Sequence, residues 1–212
     1  MNVTAQEKSA LYELSWSLSA ASPSEPLKLS YEIAALEELF VSDRLWDYGP
    51  GRTRIPDPFG VYRYVRDGSL RLVFAQAPYP PNVMPHVTYQ PLYSRIAAGE
   101  SRKVELLLQQ PVDEYSSLAR DITAPTVLEE VSKVIFVMGY RARSSMEADP
   151  KPPPKESAEE AGYIVHDPKH VVSTLEVGAL PVKRRTGYMA RFALPGEPAP
   201  GPMPMDPPRP SK

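Results

Sequence analysis

The stretch YELSWSLSA, residues 12 to 20, alternates apolar and polar side chains without a break. Tyr12, Leu14, Trp16, Leu18 and Ala20 fall on one side and Glu13, Ser15, Ser17 and Ser19 on the other, a period that a half-buried strand satisfies and a helix does not. LKLSYEI repeats the pattern with Leu27, Leu29, Tyr31 and Ile33. The intervening SPSEP supplies turn residues, so these two runs are expected to form a hairpin.

A second hairpin is written into YVRDGSLRLVF, residues 64 to 74, where Asp67-Gly68 separates two alternating runs. A two-residue turn there sets Val65 opposite Leu70, Arg63 opposite Leu72 and Val61 opposite Phe74. That face is apolar except at Arg63. The other face pairs Tyr64 with Arg71 and Tyr62 with Val73, a mixed surface suited to solvent or to a covering loop.

Further strands are expected at about Leu39 to Leu45, Val87 to Tyr93, Lys103 to Gln109 and Ser132 to Tyr140, the last a continuous apolar run suited to a sheet centre. YMARFAL adds one with Tyr188, Ala190, Phe192 and Leu194 on one side. Eight or so strands with frequent turns and few helical windows predict an all-β chain, an antiparallel immunoglobulin-like β-sandwich, with a barrel as the second choice.

Proline sets the boundaries. Of 26 prolines, eight lie in residues 195 to 212 and four in 150 to 154. The expected organisation is a flexible N-terminus at 1–9, a sandwich at 10–145, a Pro/charged spacer at 146–160, completing strands at 161–194 and a disordered Pro-rich tail at 195–212. Asp167-Pro168 reads as an N-cap and first-turn proline, so a helix is expected to start there, between His166 and His170.

Composition narrows the chemistry. The chain has 212 residues, a net charge of −2 and no cysteine, so disulfides, thiolate metal sites and cysteine nucleophiles are excluded. No signal-like or membrane-spanning apolar run occurs, and a cytoplasmic protein is expected. Phosphate loops, dinucleotide glycine fingerprints, G-x-S-x-G elbows and H-E-x-x-H pairs are missing from the sequence, so no cofactor or metal is expected. The adjacent carboxylates Glu37-Glu38, Asp113-Glu114, Glu129-Glu130 and Glu159-Glu160 read as solvated edges, since neighbours on a strand point to opposite faces. Lys183-Arg184-Arg185 precedes an expected turn at Thr186-Gly187 and faces water; without interleaved aromatics it does not indicate nucleic acid.

The open end of the Asp67-Gly68 hairpin brings together two unusual connections, residues 46–60 and 77–87. They gather Trp46, Tyr48, Phe59, Tyr79, Met84 and His86 at one rim, a rigid aromatic surface of the kind that binds a protein partner. The competing reading is that these rings only close the core. Asp43, Asp47 and Asp57 beside Arg44, Arg52 and Arg54 read as salt-bridged bracing of the long loop. In the tail, Pro204, Pro207 and Arg209 fit P-x-x-P-x-R, a polyproline docking pattern. The sequence therefore favours a non-catalytic β-sandwich that binds a protein partner or forms part of an assembly. Two alternatives stand beside it: a hydrolase using Asp47 or Asp57 with His86, and a structural subunit of a homo-oligomer or larger assembly.

Overall fold

The computed structural model describes residues 1–48, 54–57, 60–75, 92–115, 125–150 and 162–185. Those residues are all-β, in two facing sheets and one short ribbon. Among them, no helix is long and apolar enough to cross a membrane. The first sheet holds β1 (Asn2–Lys8), β2 (Tyr12–Ser19), β3 (Leu27–Ala35) and β10 (Ser101–Leu108), in the order β1-β2-β3-β10.

The second sheet is built around β12 (Thr126–Ala142), a strand of 17 residues. One side of β12 pairs with the equally long β14 (Lys169–Arg185), beyond which lies β11 (Val112–Asp113). On its other side β12 takes β8 (Ser69–Phe74) in parallel at Lys133 to Met138 and β4 (Leu39–Val41) antiparallel at Tyr140 to Ala142. β7 (Tyr62–Arg66) extends the sheet from β8, and β9 (Leu92–Ile96) with β13 (Tyr163–Ile164) extends it from β4. The ribbon consists of β5 (Trp46–Tyr48) and β6 (Arg54–Pro56).

Both expected hairpins form in the register that the alternation requires. Leu14 pairs with Ile33, Trp16 with Tyr31 and Leu18 with Leu29, all buried. At the second turn Val65 pairs with Leu70 and Arg63 with Leu72. Asp67 and Gly68 both take positive φ, 51° and 69°, the left-handed pair that matches the twist of a two-residue hairpin.

The facing sheets meet through aromatic rings. Phe136 of β12 stacks on Trp16 at 5.2 Å between centroids and meets Tyr31 edge-on at 5.3 Å, while Phe74 touches both Tyr31 and Phe136. The Trp16 indole N–H donates to the Ser173 hydroxyl at 2.9 Å, so the buried ring keeps a polar partner across the core.

From Val134 to Met138, β12 is apolar on both faces because both are covered. Val134, Phe136 and Met138 enter the main core, whereas Val137 turns outward into a second cluster with Leu45, Tyr62, Tyr64, Val73 and Ala75. The mixed outer face expected of the β7–β8 hairpin is thus a buried layer. Gly139 permits close packing there: a Cβ at that position would sit 3.0 Å from the Tyr93 hydroxyl.

Several expectations are corrected. Residues 2–8 form a strand that pairs along its whole length with β2, in place of a flexible terminus. No helix follows Asp167-Pro168; Asp167 has φ 49°, a turn conformation tolerated by aspartate, and β14 begins at Lys169. Lys183-Arg184-Arg185 lies within β14, half-buried. Glu114 is 1% exposed and not a solvated edge. β4 covers only Leu39–Val41 of the expected Leu39–Leu45, and the strand expected at Tyr188 to Leu194 lies outside the described residues.

Two outcomes follow. Phe136→Ala should cost about 3–5 kcal/mol in urea unfolding, because it removes the ring at which the sheets meet. Burial raises the hydroxyl pKa of Tyr12, Tyr31 and Tyr93 above the ordinary tyrosine value. A folded-state pKa raised above the unfolded one gives stability that is fully present below about pH 10 and lost as pH climbs beyond it. Unfolding free energy measured against pH should therefore fall on the alkaline side of pH 10, and replacing Tyr31 by Phe should flatten that fall.

Candidate functional site

The rim begins where β4 ends. Ser42 and Asp43 are fully buried at the seam between β4, β9 and the edge strand β10. A buried carboxylate must be compensated, and Asp43 is: the Ser94 hydroxyl donates to it at 2.7 Å, Arg102 pairs with its other oxygen and Arg44 stands 3.7 Å away. The Tyr31 hydroxyl donates to the Asp43 carbonyl at 2.7 Å, linking this cluster to the aromatic core.

The Arg44 guanidinium then lies 5.6 Å from the centre of the Trp46 ring. Trp46 is 9% exposed, so it closes the core and does not itself form an open contact surface. It opens the β5–β6 ribbon, in which Trp46 pairs with Pro56, Asp47 with Ile55 and Tyr48 with Arg54.

Such a short ribbon cannot hold itself together, and its base is fastened by polar contacts. The Asp57 amide donates to the Leu45 carbonyl at 2.9 Å, and the Tyr115 hydroxyl donates to the Asp57 carboxylate. Tyr115 in turn stacks on Tyr62 and lies 5.3 Å from the Arg63 guanidinium. Arg63 donates to the Asp113 carbonyl at 2.9 Å, and burial lowers its pKa below the ordinary guanidinium value. Backbone bonds in both directions join Arg63 to Tyr115, at 2.9 and 2.7 Å. Next along the chain, the buried Glu114 carboxylate accepts from the Val65 and Arg185 amides at 2.6 and 2.8 Å, tying β7 to β14.

Of the residues expected at the rim, the structure places Trp46 inside and Tyr48 on β5. Phe59, Tyr79, Met84 and His86 lie outside the described residues, as do Pro204, Pro207 and Arg209 of the tail. Bracing by Asp43 and Asp57 is present: Asp43 keeps its expected neighbour Arg44 and adds Arg102 and Ser94, while Asp57 is held by Tyr115, the last three being partners distant in sequence. Arg63 alone carried a local signal, as the one charge on an apolar face. Among the described residues, no three His, Asp or Glu side chains come together as a metal site needs. Comparison of the chain with protein-family models, with curated proteins and with solved structures found no match.

Chemically, the belt is a brace. Removing Arg102 as Arg102→Met should destabilise the fold by about 3 kcal/mol, because Asp43 stays buried without its main counter-charge. Adding Asp43→Asn to that variant should restore most of the loss in chemical denaturation.

Proposed function

We propose that this chain is a non-catalytic β-sandwich module that works by contact with a protein partner, presented on the β5–β6 ribbon at one rim. The observation that carries the reading is the way that ribbon is held. A ribbon of three residue pairs belongs to neither main sheet, yet its base is fastened through Asp57, Tyr115 and Arg44. Core closure alone is served by Trp46 and Leu45, and does not require strands beyond them. In this role the two sheets act as immunoglobulin-like sandwiches do, as a rigid scaffold that presents connections at one end. A cytoplasmic setting belongs to the same proposal, since a chain without cysteine does not depend on an oxidising compartment.

The hydrolase alternative is the weaker one. Asp57, one of its two carboxylates, is 5% exposed and already held by the Tyr115 hydroxyl, which suits an anchor better than an acid or base facing substrate.

A photo-reactive phenylalanine analogue in place of Tyr48, installed in the source cells, tests the proposal. It should give an adduct with one defined protein, and the same analogue in place of Glu176, exposed on β14, should not. Equal adducts from both positions, or none from position 48 with the melting temperature unchanged, would overturn it.

A further inference from the structure

The first sheet ends in two long strands, β1 and β10; among the described residues neither has a hydrogen-bonded ladder on its outer side, although β14 passes close to β1. Natural edges are commonly shortened, bulged or broken by proline to prevent pairing with another chain. These two are not. β1 pairs with β2 over its whole length and β10 with β3 over its whole length, with no register shift and no proline in either.

Hydrogen-bond phase shows which residues face outward. The Ala20 amide donates to the Met1 carbonyl and the Ser9 amide to the Tyr12 carbonyl, so odd-numbered residues of β1 bond to β2. Asn2, Thr4, Gln6 and Lys8 therefore turn their N–H and C=O groups to the open side. On β10 the Ala35 amide donates to the Glu100 carbonyl, so the even-numbered residues bond to β3. There Ser101, Lys103, Glu105 and Leu107 face the open side.

The inner faces of both edges are incomplete as well. Val3 and Ala5 on β1, and Val104 and Leu106 on β10, pack on the core but are only partly buried. Each strand also carries one charge on that inner face: Glu7, opposite Leu14, and Arg102, opposite Ile33.

We propose that copies of this chain assemble head to tail, β10 of one copy pairing antiparallel with β1 of the next. Translation along the sheet preserves the up-down alternation of strands and keeps the apolar side facing the same way. In the register that overlaps the strands fully, Lys103 meets Gln6, Glu105 meets Thr4 and Leu107 meets Asn2 as hydrogen-bonded pairs. Between them Val104 meets Ala5 and Leu106 meets Val3, completing both half-buried edges. Arg102, which already pairs with Asp43 within the chain, meets Glu7, so the facing inner-face charges are opposite in sign. Leu107, 69% exposed in the single copy, gains a neighbour. The contact is heterologous and leaves an open edge at each end, so it generates chains or rings and not a closed twofold dimer. It uses a different surface from the β5–β6 ribbon, and either proposal stands if the other fails.

Sedimentation velocity of the full chain over a range of micromolar concentrations tests this. The outward amides of Thr4 and Glu105 take no part in the chain's own ladders, so Thr4→Pro and Glu105→Pro block one edge each while sparing the fold. The unaltered chain should form a concentration-dependent series of larger species. Each blocked variant alone should stay monomeric, and a mixture of the two should form a one-to-one dimer through the remaining pair of edges. A second arm does not depend on proline: because the chain has no cysteine, Asn2→Cys and Leu107→Cys in one molecule should give disulfide-linked ladders under mild oxidation. A monomeric unaltered chain without ladders would overturn the proposal. So would a dimer lost in Glu105→Pro but kept in Thr4→Pro, which indicates β10 pairing with its own copy, or adducts formed only with a foreign strand.

Discussion

The contact on which the structure depends is the meeting of Phe136 with Trp16, Tyr31 and Phe74 between the two sheets. β12 supplies that ring and is the only described strand flanked by β14 on one side and by both β8 and β4 on the other. Its register therefore fixes theirs. Because its outward side chains are buried too, sliding β12 by one residue would exchange two apolar layers and cost the packing of both.

Around that core three buried carboxylates are held by partners from other segments. Asp43 is held by Arg102, Ser94 and Arg44, Glu114 by two backbone amides, and Asp57 by Tyr115. Each joins segments far apart in sequence, and together they brace the seam between the sheets and the base of the ribbon. What the described surface leaves open is of another kind: strand edges with free backbone groups and half-buried apolar side chains. The two proposed surfaces, the ribbon and the sheet edges, are both strand-built.

Parts of this were legible in the sequence because local chemistry decided them. Asp67-Gly68 takes the left-handed conformations its turn needs, and the β2–β3 alternation carries large apolar residues at every inward position but Ala35. β1 was opaque since only Val3 and Ala5, both small, mark its inward side. β14 was hidden by Asp167-Pro168, which resembles a helix start, and by Ser173 at an inward position, whose role depends on Trp16 far upstream. These polar contacts left only part of their trace locally: Asp43 beside Arg44 could be read in the sequence, whereas Arg102, Ser94 and Tyr115 are brought to Asp43 and Asp57 by the fold. Trp46, expected at an open rim, is buried beside Arg44 and belongs to the brace.

In the proposed assembly the first sheet's open edges are contact surfaces, distinct from a closed core built on β12. Residue-resolved amide hydrogen exchange at rising protein concentration tests it most directly. The amides of β12 from Val134 to Met138 should be strongly protected at every concentration, while those of Thr4, Gln6, Lys103 and Glu105 should exchange fast when dilute and slow together as concentration rises. Edge amides that exchange at one rate throughout, or that are already protected in the dilute monomer, would contradict the account.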